Sequence, residues 1–169
     1  MLDMISNQVI LKCKTKVNLF FKIKQRRTDG LHELESLFYP LEYPCDYLHI
    51  YPGKSQTGLR ITSSLPELEK ENLLYAVYRI FVDKTGLQPG ISLHLEKNVP
   101  LGSGLGGASS NAAVFLKYLW DMWDKYIEKK ELDINDLALS LGSDVPFFLY
   151  DSPAWVSGVG EKIECTYID

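Results

Sequence analysis

The sequence has few of the features that are typical of secreted, metal-binding or membrane-spanning proteins. Its 169 residues include only three cysteines, Cys13, Cys45 and Cys165, which are widely spaced and form no C-x-x-C pair. This pattern argues against a disulfide framework or a zinc knuckle and favours three reduced, mostly buried thiols. No apolar run approaches the roughly 18 residues of a membrane span, and the N-terminus has no basic stretch followed by an apolar one. We therefore expect a cytoplasmic protein without a membrane partner.

The chain also lacks an excess of basic residues. Lysine and arginine number 18 against 22 acidic residues, which gives a formal net charge of -4. Nucleic-acid-binding domains usually carry the opposite balance, so no nucleic acid is expected as a partner. Hydrophobic residues, by contrast, make up 46% of the chain. That is enough to bury a core, and the length fits one domain.

Strand patterns fill the first third of the chain. Apolar and polar residues alternate over residues 8–24, which predicts one long, bent strand. One face of it would carry Leu11, Cys13, Thr15, Val17, Leu19, Phe21 and Ile23. A turn is predicted at residues 26–30, followed by strands at 34–43, 47–51 and 59–62. Sequential strands joined by turns predict a mainly antiparallel sheet.

Helical spacing appears in the rest of the chain. Residues 73–81 predict a helix that Gly86 ends, and residues 91–95 predict a strand. A long helix with apolar residues from Ala112 to Trp123 follows, then a charged connector at 125–131 and a helix at 134–141 capped by Asp133 and Gly142. Strands are predicted at 147–150 and 154–156. This order predicts a two-layer α+β fold, and the missing second helical layer suggests an N-terminal domain or a fragment.

The most informative segment is a glycine-rich loop between a predicted strand and a predicted helix. Four glycines in six residues allow backbone N–H groups to approach an anion closely. The helix that follows directs its unpaired N–H groups to the same point. A glycine-rich turn can also serve tight packing alone, and the loop matches neither Walker A nor a dinucleotide fingerprint. We predict that it binds phosphate through Pro100, Leu101, Gly102, Ser103, Gly104, Leu105, Gly106, Gly107, Ala108, Ser109 and Ser110.

This loop resembles the phosphate loop of the GHMP kinases, which include galactose, homoserine, mevalonate and phosphomevalonate kinases. Four further segments resemble motifs of one branch of that family. They are residues 14–21 (KTKVNLFF), 25–34 (QRRTDGLHEL), 142–148 (GSDVPFF) and 158–161 (GVGE). The matching motifs keep their order and span nearly the whole chain.

The resemblance implies a small-molecule kinase that uses ATP and Mg²⁺. The acceptor in that branch is the 2-hydroxyl of 4-diphosphocytidyl-2-C-methyl-D-erythritol, in the non-mevalonate pathway of isoprenoid biosynthesis. Members have a C-terminal domain that helps to close the active site. Residues 1–169 are therefore expected to be the N-terminal ATP-binding and catalytic domain, truncated before that second domain.

The resemblance also assigns the catalytic residues. Asp144 would accept the proton of the acceptor hydroxyl, since a carboxylate in hydrogen-bond reach can act as general base. Lys16 would be its partner, and the spacing to Asn18 is what selects it over Lys12 and Lys14. Ser110 is a candidate magnesium ligand through its hydroxyl.

The remaining implied roles concern the two substrates. Asn18 and His32 are expected to contact the acceptor, with His32 at the cytosine edge. Leu31 replaces a family tyrosine that stacks on cytosine, so this position offers only apolar contact. Phe38 matches an aromatic residue of the same pocket, although a core role is equally open. Asn72 fits a position near adenine or a simple helix cap.

Several alternatives remain open on the sequence alone. The chain could act on another alcohol, such as homoserine or mevalonate, or be an inactive fragment that only binds nucleotide. The family fold also resembles a domain of a ribosomal protein and of elongation factor G, so an RNA-binding relative is a third hypothesis, which the net charge opposes. A missing domain could expose an apolar face and drive assembly into a homodimer.

Overall fold

A computed structural model describes residues 8–26, 32–53, 58–126 and 132–168. These ranges contain six strands, three α-helices and three 3-10 turns. The strands are β1 (Val9–Arg26), β2 (His32–Pro52), β3 (Leu59–Ser63), β4 (Ile91–Glu96), β5 (Ala154–Gly158) and β6 (Lys162–Cys165). The helices are α1 (Leu73–Thr85), α2 (Gly107–Trp123) and α3 (Ile134–Leu141), and the 3-10 turns are Pro66–Glu69, Asp124–Tyr126 and Pro146–Leu149.

Strand β2 is the central strand of a single mixed sheet and pairs with three others. One of its edges pairs antiparallel with β1 along most of its length. The other edge pairs antiparallel with β5 over residues 34–38 and with β4 over residues 47–52. Strand β6 pairs antiparallel with β5, and β3 pairs parallel with β4. The predicted α+β class with a mainly antiparallel sheet is confirmed.

The main core lies between the sheet and the three helices. Alternate residues of β2 and β4 point into it, among them Leu48, Ile50 and Leu93. Apolar residues of α1 and α2 cover them, and the largest fully buried side chains there are Phe81 and Phe115. A second, smaller cluster joins the first half of β2 to β5 through Phe38, Phe147, Ala154 and Val156.

The helix ends follow from local chemistry. Asn72 precedes α1 and its side chain accepts a hydrogen bond from Leu74 N, which satisfies one unpaired N–H group. Gly86 ends the helix in the left-handed region at φ 70°. Asp133 caps α3 in the same way, and Gly142 ends it. All three predicted helices are confirmed, and α1 and α3 have the caps described above.

The structure corrects two predictions of strands. Residues 47–51 do not form a separate strand, because β2 runs unbroken from His32 to Pro52. Residues 147–150 lie in and after the 3-10 turn Pro146–Leu149, where Phe148 N and Tyr150 N bond to the carbonyls of Val145 and Phe147. Pro146 favours such a turn because it presets φ at its first position.

The predicted alternation along β1 also fails in its second half. The register with β2 shifts between Cys13 and Thr15 and again between Asn18 and Phe20. Such irregularities disturb the regular alternation of the two faces along a strand. Lys16 is consequently buried, whereas the apolar side chains of Leu19, Phe21 and Ile23 are exposed.

A few predictions concern segments near or beyond the described ranges. The predicted turn after Arg26 and most of the charged connector lie outside the described residues. All three cysteines carry free thiols; Cys13 and Cys45 are buried and Cys165 is exposed. Within the described ranges, the helices are too short or too polar to cross a membrane.

Candidate active site

The glycine loop connects β4 to α2 and encloses a small open cavity. Gly102, Gly104 and Gly106 all have positive φ, at 69°, 74° and 73°. A Cβ at Gly102 or Gly104 would meet none of the described residues within 4 Å, so these backbone units face open space. The cavity measures about 170 Å³ and is lined by Lys97 and by loop residues 100–104 and 106–109. The predicted phosphate loop therefore has an accessible backbone, as an anion site requires.

Helix α2 starts inside this loop, at Gly107. The first intrahelical bond runs from Ser110 N to Gly106 O at 2.9 Å. The preceding N–H groups of the first turn have no intrahelical acceptor in an α-helix, and the helix dipole gives that end a partial positive charge. The glycine loop and the first turn of α2 thus present backbone N–H donors on the same side.

Lys16 reaches the loop from β1. Its backbone N–H donates to Leu105 O at 2.9 Å, which fixes β1 against the middle of the loop. Its Nζ lies 3.2 Å from Asp144 Oδ2, and the side chains of Lys16 and Asp144 are 6% and 32% exposed. The structure therefore brings together the two predicted catalytic residues, with the lysine buried and the carboxylate open to solvent.

The ammonium of Lys16 has two further neighbours. It donates to Asn18 Oδ1 at 2.6 Å and lies 4.3 Å from the centre of the Phe38 ring. Asn18 is oriented in turn by Ser36, since its Nδ2 donates to Ser36 Oγ at 2.8 Å. The Ser36 hydroxyl donates to Phe20 O. These contacts hold the ammonium in one place beside Asp144.

Asp144 is positioned by the turn that follows α3 and by the hairpin between β5 and β6. Val145 N bonds to Gly142 O at 3.1 Å, which closes the turn around Asp144. Gly160, with φ 113°, packs so closely on Ser143 that a Cβ there would lie 2.5 Å from the Ser143 carbonyl oxygen. The second glycine of the 158–161 motif therefore supports the backbone next to Asp144.

The other predicted site residues lie in different surroundings. Phe38 is 3% exposed and packs edge-on against Phe147, with the two ring centres 5.1 Å apart. It therefore belongs to the smaller core, and its ring contacts the ammonium of Lys16. Ser110 is 1% exposed and lines a separate cavity of about 200 Å³ with Lys14, Val114 and Phe148. The role of Ser110 as a magnesium ligand stays a prediction.

Three further predicted residues relate to the two substrates. Asn72 uses both ends of its amide locally, accepting from Leu74 N and donating to Leu68 O at 3.2 Å. His32 begins β2 opposite Arg26, and its backbone is the only part that the structure describes. Leu31 lies outside the described residues. The adenine and cytosine contacts thus remain predictions.

Sequence reasoning missed a buried polar cluster beneath the loop. Asp46 is completely buried, and its Oδ2 lies 2.6 Å from Lys97 Nζ. Asn111 of α2 donates to the same oxygen at 3.2 Å. One signal was available: Asp46 alternates in phase with the core residues Leu48 and Ile50, so period two places its carboxylate in the core. A buried carboxylate requires a cation or several donors.

The cluster also touches Cys13. Burial raises the pKa of the Cys13 thiol well above its usual range, and the nearby Asp46 carboxylate adds to this shift. Cys13 therefore stays a neutral thiol and adds no second negative charge beneath the loop.

Comparison with known proteins agrees with this geometry. Residues 72–152, which include the glycine loop and Asp144, match the family described as "GHMP kinases N terminal domain". A 4-diphosphocytidyl-2-C-methyl-D-erythritol kinase of Mannheimia succiniciproducens is 44% identical over 158 residues, which are 89% of this chain and 49% of that protein. The protein of the same name from Solidesulfovibrio magneticus is 40% identical, over 92% of this chain and 53% of its own length.

The chain contains the N-terminal domain of the GHMP kinases. A crystal structure of 4-(cytidine 5'-diphospho)-2C-methyl-D-erythritol kinase is similar to this GHMP kinase domain, with a TM-score of 0.77 and 36% identity over 95% of this chain and 56% of that one. A homoserine kinase from Cytophaga hutchinsonii, at 18% identity and a TM-score of 0.58, shares the fold. The chain spans about half the length of the curated relatives it matches.

Proposed function

We propose that this GHMP kinase domain is the ATP-binding and catalytic part of an enzyme that phosphorylates the 2-hydroxyl of 4-diphosphocytidyl-2-C-methyl-D-erythritol. The observation that carries the proposal is the Lys16–Asp144 pair, 3.2 Å apart beside the glycine loop. The names of relatives at about 40% identity support the acceptor, and so do the motifs shared over residues 14–161. The reaction belongs to the non-mevalonate route to isoprenoid precursors.

The described residues fit a nucleotide triphosphate. Gly102 and Gly104 expose their backbone to the loop cavity, Lys97 adds a cation to its wall, and α2 adds its N-terminal donors. Within the described ranges, no cluster of three or more His, Cys, Asp or Glu side chains could hold a metal. In kinases, Mg²⁺ is bound by substrate phosphates and one or two protein oxygens. When bound, ATP with Mg²⁺ supplies the phosphoryl group and part of the charge neutralisation.

Asp144 and Lys16 then have complementary roles. The Asp144 carboxylate is exposed enough to accept a hydrogen bond from an acceptor hydroxyl and to take its proton during transfer. The Lys16 ammonium, 3.2 Å from this carboxylate, stabilises negative charge that develops between the two substrates. Because Asn18 and Phe38 fix the ammonium, no reorientation is needed at the moment of reaction.

The acceptor would lie on the exposed side of Asp144. Asn18, whose side chain is exposed, borders that region and is proposed to contact the acceptor near the reacting hydroxyl. His32 and Leu31 are proposed to lie at the cytosine base, with Leu31 offering apolar contact in place of aromatic stacking.

The test is ADP formation by this chain with MgATP and a panel of acceptors. We expect turnover with 4-diphosphocytidyl-2-C-methyl-D-erythritol, none with homoserine or mevalonate, and loss of turnover in Asp144→Asn with ATP affinity retained. Undiminished turnover in Asp144→Asn would contradict the role of that carboxylate. Faster turnover of another acceptor would contradict the substrate assignment, and ATP binding without any turnover would mark the chain as a binding domain only.

A further inference from the structure

The buried carboxylate of Asp46 makes four hydrogen bonds with segments on both sides of the glycine loop. Its Oδ1 accepts from the backbone N–H groups of Asn98 and Val99 at 2.7 and 2.8 Å. Its Oδ2 accepts from Lys97 Nζ at 2.6 Å and from Asn111 Nδ2 at 3.2 Å. Both oxygens are therefore used: Oδ1 bonds only to residues that precede the loop, and Oδ2 bonds to residues on both sides of it.

The two ends are those of the loop. Residues 97–99 lead directly into Pro100, while Asn111 lies in the first turns of α2, after the last loop glycine. Lys97 adds a third connection, because its Nζ also donates to Val99 O at 2.8 Å. The same atom lies 3.1 Å from the place that a Cβ on Gly107 would occupy. Asp46 on β2 is thus the common anchor of the strand that enters the loop and the helix that leaves it.

Net stability does not explain this arrangement by itself. The attraction within a buried ion pair is largely offset by the desolvation of both charges, and apolar replacements are often as stable. The Asp46 carboxylate instead provides a fixed geometry, because four donors are held in defined directions around it. An anion site built from backbone N–H groups depends on such geometry, because its donors must converge before the ligand arrives.

We propose that Asp46 is a positioning residue, which holds the two ends of the glycine loop at a fixed separation so that its N–H groups converge on the nucleotide phosphates. The nucleotide part of this inference rests on the function proposed above. Asp46 does not itself touch the ligand; it acts through Lys97, the backbone of residues 98–99 and Asn111.

The first test is amide hydrogen exchange without any nucleotide, in wild type and Asp46→Asn. The substitution keeps an acceptor for Asn98 and Val99 but turns an NH₂ group towards Lys97 and Asn111. The reporters are the amides of Lys16 and Ser110, which bond to loop carbonyls at Leu105 and Gly106 and not to Asp46. We expect both to exchange about tenfold faster or more in the variant. Unchanged exchange at both reporters would overturn the proposal.

A matched control separates loop positioning from general loss of stability. Val77→Ala removes buried volume from α1, away from the loop, and should lower global stability while leaving the protection of Lys16 and Ser110 unchanged relative to the core. If Asp46→Asn does not fold, Asn111→Ala removes one tether without unpairing a charge. It should speed exchange at Ser110 in the same direction, and no change there would contradict the proposal.

The second test is the affinity for ATP compared with that for adenosine. A misplaced loop should raise the Kd of ATP in Asp46→Asn about tenfold, with the Kd of adenosine unchanged, since adenosine has no phosphate for the loop to bind. Equal ATP affinity in variant and wild type would refute the positioning role. Absence of ATP binding by wild type would instead refute the proposed function, while the exchange experiment still decides whether Asp46 positions the loop.

Discussion

At the scale of single residues, Gly106 shows how backbone conformation and the candidate active site are coupled. It has φ 73°, and a Cβ there would lie 2.8 Å from Phe148 Cζ and 3.3 Å from Lys16 Cγ. Gly86, which ends α1, has φ 70° but nothing among the described residues within 4 Å of such a Cβ. A side chain at either glycine would have the same conformational cost. Only at Gly106 would it also displace neighbouring side chains.

This pair gives a matched prediction. Gly86→Ala should lower the free energy of unfolding by about 1–2 kcal/mol, the cost of left-handed backbone for alanine, and leave the Kd for ATP unchanged. Gly106→Ala should cost at least as much and also weaken ATP binding about tenfold or more, because the loop and Lys16 must shift. Urea unfolding and calorimetric titration measure both quantities. Equal ATP affinity in the two variants would show that Gly106 serves packing alone.

Lys16 also shows what the alternation of residues in the sequence does not predict. Lys12, Lys14 and Lys16 alternate along one strand, and period two alone assigns them the same surroundings. In the structure Lys12 and Lys14 pair with Glu42 at 2.7 and 2.6 Å on the surface, whereas Lys16 is buried against Asp144. The register with β2 shifts between Cys13 and Thr15, within the segment that carries the three lysines. Sequence alone does not reveal a bulge of this kind, so only the family motif could select Lys16.

At the scale of elements, the start of α1 offers a test of the two roles considered for Asn72. Its side chain caps the helix in the structure. Asn72→Ala should therefore lower the free energy of unfolding by about 1 kcal/mol, and Asn72→Asp, which keeps a capping oxygen, should restore most of it. We expect the Kd for ATP to remain unchanged in both. A raised Kd in Asn72→Asp with wild-type stability would instead support the predicted adenine contact.

The pairing of β1 with β2 predicts a dependence of stability on pH. Hydrogen bonds from Lys12 and Lys14 lower the pKa of Glu42 from its ordinary value of 4.5 to about 2. A carboxyl with a lowered folded pKa adds stability above its unfolded pKa and loses that contribution as the pH falls to the folded value. The stability difference between wild type and Glu42→Gln should therefore be full near neutral pH and shrink between about pH 4.5 and pH 2.

The size of this effect should be small, because Glu42 is exposed and water screens such pairs. Urea unfolding of both proteins at several pH values measures it. A difference that stays constant across this range would contradict the assignment of the effect to the ionised Glu42.

Elements with strong local signals could be predicted from the sequence, and elements set by tertiary contacts could not. Helices α1 and α3 have Asn72, Gly86 and Asp133 at their ends, and these caps are visible in the sequence. The 3-10 turn Pro146–Leu149 was predicted as a strand, because short apolar runs do not distinguish the two. Strand β6 was missed altogether, since its residues alternate weakly and are mostly exposed.

The same division applies to the site. The glycine loop is contiguous and could be recognised from composition and spacing. The cluster beneath it joins Asp46 of β2, Lys97 directly after β4 and Asn111 of α2, and Asp46 and Lys97 are 51 positions apart in the chain. The pairing of β2 with β4 brings Asp46 and Lys97 together. The alternation of residues in the sequence therefore indicates that Asp46 is buried, but it does not identify the partners of Asp46.

At the scale of the whole molecule, the chain spans about half the length of its curated relatives, yet it contains the glycine loop, Lys16 and Asp144 together. All three are held by one sheet and the helices on it. Nucleotide binding is therefore expected to be a property of this domain itself.

The most direct test of the account is a calorimetric titration of the folded chain with MgATP, alongside the same titration with adenosine. We predict saturable binding of ATP at one site, with an affinity that falls strongly when the phosphates are removed. Absence of saturable ATP binding by the folded protein, or equal affinity for adenosine, would contradict the claim that the glycine loop is a phosphate site.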